Sequence, residues 1–174
     1  KAHRRGIESI GMGNVTKLAL KFDEAFWPDD VQYFGMMTET RGRWNYFLNY
    51  RTFSEENILL GLCVGDYARK VEAMSDADMV ADCMDAVRSM FGAGSPDPVA
   101  HLVTRWSTNP NSLGAYSYSA VGSKPAHFDD LATPIADTVL LAGEHTNFEY
   151  HATVHGAYQS GLNAAQIIED RLAE

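Results

Sequence analysis

The chain has 174 residues, of which 45% are hydrophobic, and carries a formal net charge of −9. This length and composition allow one or two small domains with a buried core. The acidic balance argues against nucleic acid as a direct partner, and no apolar run approaches the length that spans a membrane. Because Cys63 and Cys83 show no Cys-x-x-Cys spacing, we predict free, buried thiols in a reducing compartment, the cytoplasm.

The first half of the chain has the pattern of an antiparallel sheet followed by a helix. Four runs have the alternation or the apolar content of strands: residues 15–22, 33–37, 44–50 and 57–64. Ser75 is a helix-start signal, and apolar residues at helical spacing continue to Phe91, where Gly92 ends the pattern. We interpret the methionines of this helix as core residues.

A stretch rich in Gly, Ser and Pro, residues 92–98, interrupts the pattern and is the predicted domain crossing. It divides the chain into residues 1–98 and 99–174. After it we expect a strand that leads into residues 104–106, and then a long irregular segment that ends at Pro134.

Residues 143–165 combine a strand end, a polar loop and a helix start. The apolar run at 138–142 predicts a buried strand, after which Gly143 allows the backbone to turn. Thr153 is a candidate N-cap for the helix that follows. Open α/β folds bind nucleotides where a strand ends and a helix begins, and a helix N-terminus favours negative charge.

This segment, Gly143-Glu144-His145-Thr146 followed by Thr153-Val154-His155-Gly156-Ala157, resembles the closing motif of the flavin-dependent amine oxidases. That family contains polyamine oxidases, monoamine oxidases and histone lysine demethylases. Further motifs resemble the same family in the same order: Gly11-Met12-Gly13-Asn14, Phe26-Trp27, Thr104-Arg105-Trp106 and Gly114-Ala115-Tyr116-Ser117-Tyr118. The resemblance therefore covers practically the whole chain.

The resemblance implies the C-terminal part of a two-domain flavoenzyme of the α+β or α/β class. Residues 1–98 would belong to a substrate-binding domain with a mixed, mostly antiparallel sheet and helices. Residues 99–174 would supply the C-terminal strand and helix of a Rossmann-like FAD-binding domain. The family's Gly-x-Gly-x-x-Gly turn, which cradles the FAD pyrophosphate, has no counterpart in this sequence. We therefore expect an N-terminal FAD-binding segment or chain as a partner.

The resemblance also implies roles for individual residues. Glu144 would accept a hydrogen bond from a ribityl hydroxyl, and the helix start at Thr153 would lie beside the pyrimidine edge of the flavin, where reduction places negative charge. Tyr116 would hold the amine over the flavin. The predicted catalytic residues are thus Tyr116 and Thr153. The predicted cofactor-binding residues are Trp106, Tyr116, Gly143, Glu144, Thr153 and Val154.

Each of these roles has a plainer alternative. Glu144 is otherwise a loop carboxylate that pairs with a neighbour, and Tyr116 and Tyr118 are otherwise core aromatics of strands. A zinc site at His151 and His155 is not predicted, because the spacing lacks the glutamate of His-Glu-x-x-His and because a cap at Thr153 places His151 outside the helix.

The implied activity is oxidation of an amine C–N bond to an imine, with hydride equivalents passing to FAD and then to O2. A polyamine is the favoured small-molecule substrate. Two alternatives stay open at this point. One is an L-amino-acid or monoamine oxidase of the same family, and the other is a non-catalytic binding or regulatory fragment that lacks the nucleotide-binding half.

Overall fold

A computed structural model describes residues 1–173 of the chain. The strands are β1 (Gly11–Met12), β2 (Val15–Lys21), β3 (Tyr33–Gly35), β4 (Tyr46–Asn49), β5 (Ile58–Val64), β6 (Ala100–Val103) and β7 (Ser117–Tyr118). The α-helices are α1 (Ala2–Ser9), α2 (Gly65–Glu72), α3 (Asp76–Phe91), α4 (Pro125–Ala132) and α5 (Val154–Leu172). Short 3₁₀ helices span Tyr50–Thr52 and Glu144–Thr146. Within residues 1–173, no helix is both long and apolar enough to cross a bilayer.

The chain divides into two compact units. One unit is Asn14–Ala115, and the other combines Lys1–Gly13 with the residues from Tyr116 onward. All strand pairs in both units are antiparallel. The predicted mixed α/β class with antiparallel sheet is confirmed.

The unit of residues 14–115 is built on a five-stranded sheet in the order β3-β4-β5-β2-β6. The four predicted strands are all present with shorter bounds. Strands β3, β4 and β5 form an antiparallel meander, and β2 pairs with β5. Alternation along β2 sets its two faces, because Leu18 and Leu20 are fully buried whereas Lys17 and Lys21 are exposed.

Helix α3 covers the buried face of this sheet. Its predicted N-cap is confirmed, since the Ser75 hydroxyl accepts a hydrogen bond from the Asp78 N–H at 3.1 Å. Met79 and Met84 are buried, as the core interpretation required. Cys63 and Cys83 are free and buried, and burial raises the pKa of Cys63 to about 12. Both thiols are therefore packing groups.

The compact units divide at positions that differ from the predicted boundary at residue 98. Strand β6 pairs with β2, so that Val103 lies opposite Leu18 and Ala100 lies opposite Lys21. These backbone hydrogen bonds attach β6 to the sheet, and the sheet unit continues to Ala115. The assignment of residues 1–98 and 99–174 to a substrate-binding and an FAD-binding domain stays a prediction.

The second unit is largely helical, with α1 packed on α4. Arg5 pairs with Asp130 at 2.6 Å. A Cβ atom on Gly6 would lie 2.7 Å from the His127 carbonyl oxygen, so the two helices meet where the side chain is absent. The small core of this unit contains Phe128 and Leu131.

The predicted strand at 138–142 is not formed among the residues that the structure describes. Val139 makes only an isolated bridge with Ile135, and it is 51% exposed. A strand requires a neighbour for its backbone N–H and C=O groups, and residues 1–173 place none beside this run. The helix that follows is confirmed, because α5 begins at Val154 directly after Thr153.

Candidate functional site

Two motifs that are far apart in the sequence form one two-stranded ribbon. In it Gly11 lies opposite Tyr118, and the Gly13 N–H donates to the Tyr116 carbonyl oxygen at 2.7 Å. A Cβ atom on Gly11 would lie 2.3 Å from the ring of Tyr118, so only glycine allows that ring to cross the strand. The ribbon thereby fixes the backbone from the Tyr116 carbonyl group to Tyr118.

Glu144 connects this ribbon to the start of α5. Its Oε1 accepts from the Ser117 N–H at 2.9 Å, and its Oε2 accepts from the Ser117 hydroxyl at 2.6 Å and from the Ala152 N–H at 2.5 Å. The plainer alternative considered for Glu144, a loop carboxylate that pairs with other residues of the chain, is thus present. A carboxylate has about four acceptor positions, so Oε1 retains capacity for a further donor.

These contacts also set the charge of Glu144. Burial by itself would raise the pKa of this carboxyl group. The hydrogen bonds from the Ser117 hydroxyl, the Ala152 N–H and the Ser117 N–H together outweigh burial and hold the pKa below its ordinary value of 4.5. Glu144 is therefore ionised at neutral pH.

The beginning of α5 is capped as the sequence predicts. The Thr153 hydroxyl accepts from the Gly156 N–H at 3.0 Å and donates to the Tyr150 carbonyl oxygen at 2.6 Å. Ala152 has φ 61°, a left-handed conformation that its hydrogen bond to Glu144 stabilises. Val154, the first helical residue, is 89% exposed, and the first turn contains no acidic residue. Thr153 thus accepts from the Gly156 N–H, and the first two N–H groups of the helix, those of Val154 and His155, suit an anionic ligand.

Gly143 is attached to the same helix. Its N–H donates to the hydroxyl of Ser160 at 2.8 Å, and this buried hydroxyl donates in turn to the Ala157 carbonyl oxygen at 2.7 Å. Sequence reasoning assigned this serine no role in the site. It also missed the roles of Ser117 and Ala152, although Ser117 lies between the two tyrosines of a recognised motif.

The structure therefore brings five of the predicted site residues into one hydrogen-bonded region: Tyr116, Gly143, Glu144, Thr153 and Val154. Tyr116 is 44% exposed and Tyr118 is 50% exposed, so neither is a core aromatic of this unit. Trp106, the sixth residue, belongs to the sheet unit and is 46% exposed. The cofactor and substrate roles of all six stay predictions.

The two histidines near this region have aromatic partners. The His151 ring stacks on Phe148 with 5.8 Å between centroids, and the His155 ring meets Tyr150 at 5.1 Å. His151 precedes α5, so the two imidazoles do not share a helix face, as the cap at Thr153 predicts. Across residues 1–173, no group of three or more His, Cys, Asp or Glu side chains is arranged to hold a metal ion.

An open groove of about 630 Å³ lies between α4 and α5. Its walls include Asp129, Leu141, Phe148 and Ile167. Ser160, which binds the Gly143 N–H, also lines this groove, whereas Tyr116 and Glu144 do not.

Comparison with known proteins identifies the family. The family model described as flavin containing amine oxidoreductase matches residues 1–168. The chain belongs to this family. The resemblance found in the motifs is therefore confirmed, and membership of this family implies the flavin cofactor, FAD.

Curated relatives of two kinds match almost the whole chain. A probable polyamine oxidase 4 of Arabidopsis thaliana is 38% identical over 160 residues, which cover 92% of this chain and 32% of the relative. Lysine-specific histone demethylase 1 homolog 1 of the same plant is 38% identical over 169 residues, which cover 93% and 20%. A possible lysine-specific histone demethylase 1 of Drosophila melanogaster is 36% identical over 178 residues, which cover 96% and 20%. The chain thus spans between a fifth and a third of these relatives.

The geometry fits one part of FAD. Glu144 retains an acceptor position that suits a hydroxyl, and the first two N–H groups of α5, those of Val154 and His155, suit the electron-rich edge of the ring system. The Gly11–Gly13 segment, in contrast, is part of a ribbon and does not form the strand-to-helix turn that binds a pyrophosphate. The fit therefore covers the ribityl and pyrimidine side of the cofactor.

Proposed function

We propose that this chain is the part of an FAD-dependent amine oxidase that holds the ribityl and pyrimidine side of the flavin and forms one wall of the amine site. The carrying observation is the position of Glu144. Its carboxylate binds Ser117, which follows Tyr116, and Ala152, which precedes Thr153. One ionised side chain thereby fixes the proposed substrate residue relative to the proposed flavin-binding helix end.

In this proposal FAD, when bound, accepts hydride equivalents from the amine carbon and passes electrons to O2, and water releases the product from the imine. The residues of this chain bind and orient. Tyr116 limits the positions of the amine, because its half-exposed ring offers an apolar face that also tolerates a cationic group. Val154 contributes its N–H at the helix end, and Glu144 accepts a hydrogen bond from a ribityl hydroxyl.

For the substrate we favour a polyamine. A relative named as a probable polyamine oxidase supports this choice at 38% identity. The net charge of −9 would attract a polycation over long range. A peptide with a methylated lysine is the second candidate, because a lysine-specific histone demethylase homologue is equally similar at 38%.

The proposed partner is a segment that carries the pyrophosphate-binding strand and turn. Five apolar residues of α5 are between 49% and 89% exposed to solvent: Val154, Tyr158, Leu162, Ile168 and Leu172. Contiguous exposed apolar surface of this kind is typical of an interface. Such a segment would also give residues 138–142 the neighbouring strand that a Rossmann-like sheet requires. The cytoplasmic location stays a prediction that rests on the free thiols Cys63 and Cys83.

Anaerobic mixing of the flavin-loaded protein with spermine tests the proposal. The protein is co-expressed, where flavin loading requires it, with the segment that carries the pyrophosphate-binding turn. We expect loss of the flavin's visible absorbance, and hydrogen peroxide once O2 is admitted. A dimethyl-lysine peptide in a parallel mixture separates the two substrate classes. Loaded protein that neither substrate bleaches would contradict the proposal and favour the binding or regulatory fragment.

A further inference from the structure

A second buried carboxylate, Glu72, lies in the sheet unit at the last residue of α2 and is 3% exposed. Its Oε1 accepts from the Thr16 hydroxyl at 2.8 Å and from the Trp106 N–H at 3.2 Å. Its Oε2 accepts from the Ser107 N–H at 2.9 Å and from the Ser107 hydroxyl. All four partners are donors, and three of these bonds hold the two residues that follow Arg105.

The residues just before Trp106 are held as closely. The Thr104 hydroxyl accepts from the Lys17 N–H at 2.9 Å, which extends the pairing of β6 with β2. The Arg105 guanidinium donates to the Met74 carbonyl oxygen at 3.0 Å and to the Asp76 carboxylate at 2.6 Å. The whole segment 104–107 is therefore fixed by its backbone and polar side chains. The side chain of Trp106, in contrast, is half-exposed.

The chemistry of position 72 requires a carboxylate. An amide would place its NH₂ group against the Ser107 N–H or the Trp106 N–H, and neither backbone donor can rotate away. The position is also unfavourable for a negative charge, because it lies at the C-terminal end of a helix, where the dipole is negative. A buried glutamate at such a place is explained by the specific donors that it binds.

We infer that Glu72 is a positioning residue that fixes the backbone of Trp106 and Ser107 and thereby the direction of the indole. The inference rests on the proposed function and on the sequence-based prediction that Trp106 is a cofactor-binding residue. It adds a residue from α2 that no sequence motif indicated. Glu72 acts through the segment that it binds and does not need to touch the flavin.

Glu72→Gln is the test variant, and Thr16→Val is its matched control. The control removes the Thr16 bond to the same carboxylate and leaves the bonds to Trp106 and Ser107 in place. We expect Glu72→Gln to slow flavin reduction by saturating spermine about ten- to a hundredfold, as misplacement of a site group does, with a smaller change in KM. Thr16→Val should lower Tm and keep a rate near that of the wild type.

Iodide quenching of tryptophan fluorescence in the flavin-free protein provides a readout that is independent of activity. Trp27 and Trp44 are 4% and 0% exposed, so iodide reaches Trp106 selectively. We expect stronger quenching in Glu72→Gln than in the wild type or Thr16→Val. Quenching and reduction rates that are equal in all three proteins would overturn the inference.

Two further outcomes separate the hypotheses. A loaded wild-type protein that spermine does not reduce contradicts the proposed function, and quenching alone then decides whether Glu72 fixes the Trp106 segment. If Glu72→Gln does not fold, Ser107→Ala, which removes one hydroxyl bond from the segment, should raise quenching by a smaller amount. Unchanged quenching in Ser107→Ala would then overturn the inference.

Discussion

Replacing Glu144 with glutamine tests the hydrogen bonds around which the candidate site is built. The glutamine oxygen can take the place of Oε2 and keep the bonds from the Ser117 hydroxyl and the Ala152 N–H. Its NH₂ group then faces the Ser117 N–H, which is left without an acceptor. A buried donor in this state costs about 1–3 kcal/mol of the free energy of unfolding. Because Glu144 is only half-buried, we expect about 1–2 kcal/mol. At about 2–4 °C per kcal/mol for a chain of this length, Tm should fall by about 2–8 °C.

The loss should depend on pH in a defined direction. Hydrogen bonding lowers the native pKa of Glu144 below its ordinary value of 4.5. The stabilisation is therefore fully present above that ordinary value and is lost as the pH falls through the lower native pKa. Melting curves of the wild type and Glu144→Gln should differ most at neutral pH and converge in the acid range below 4.5.

Glu149→Gln is the matched control, because it removes the same charge from an exposed side chain in the same loop. We expect it to change stability by no more than about 0.5 kcal/mol. In the flavin-loaded protein, Glu144→Gln should also release FAD more readily on dialysis than Glu149→Gln. Equal Tm values for the two variants at neutral pH would refute the reasoning, as would a difference from the wild type that grows below pH 4.5.

Three further predictions concern the amine, the flavin and α5. Tyr116→Ala should slow flavin reduction by saturating spermine but lower Tm only slightly, because the ring is 44% exposed. The control Phe53→Ala removes an aromatic ring that is 56% exposed and should keep the reduction rate. An unchanged rate with a large fall in Tm would assign Tyr116 to packing. Isothermal titration of the 174-residue chain alone with FAD should give weak binding, since the proposed pyrophosphate contacts belong to the partner segment. Submicromolar affinity, about −8 kcal/mol or better, would contradict this prediction. Gly156→Ala should destabilise α5, because the new Cβ would lie 2.1 Å from the Tyr150 carbonyl oxygen. Gly161 faces open space, so Gly161→Ala should stabilise the helix by about 1 kcal/mol. Tm values that shift in the same direction for both variants would refute this contrast.

The sheet and α3 were predictable because each has its own periodic signal. Strand β2 alternates buried and exposed side chains, and α3 has both a serine cap and a terminal glycine. Helix α2 lacks such a signal. It follows β5 without a linker, and its N-cap position is Val64, which makes no capping hydrogen bond. Helix α1 likewise has no side-chain cap, and Gly6 lies in its middle. Packing against α4 stabilises α1, and no local sequence pattern indicates this contact.

The residues of the candidate site were predictable as types, because a motif records which side chain occupies each position. Their partners were not, because a hydrogen bond joins positions that the sequence does not relate. Nothing in the spacing of Glu144 and Ser117 indicates that three donors converge on one carboxylate. The same holds for Glu72 and Ser107, which α2 and β6 bring together. Such pairs follow only from the register of the elements that carry them.

The error at residues 138–142 has a different physical origin. An apolar run indicates that a segment is buried. A buried strand also needs a neighbouring strand whose backbone groups pair with its N–H and C=O groups. Val139 is half-exposed, and Leu141 lines the open groove beside α5. The exposed apolar residues of α5, such as Tyr158 and Leu162, likewise need a second element that covers them. A single additional sheet packed on this helix would meet both requirements.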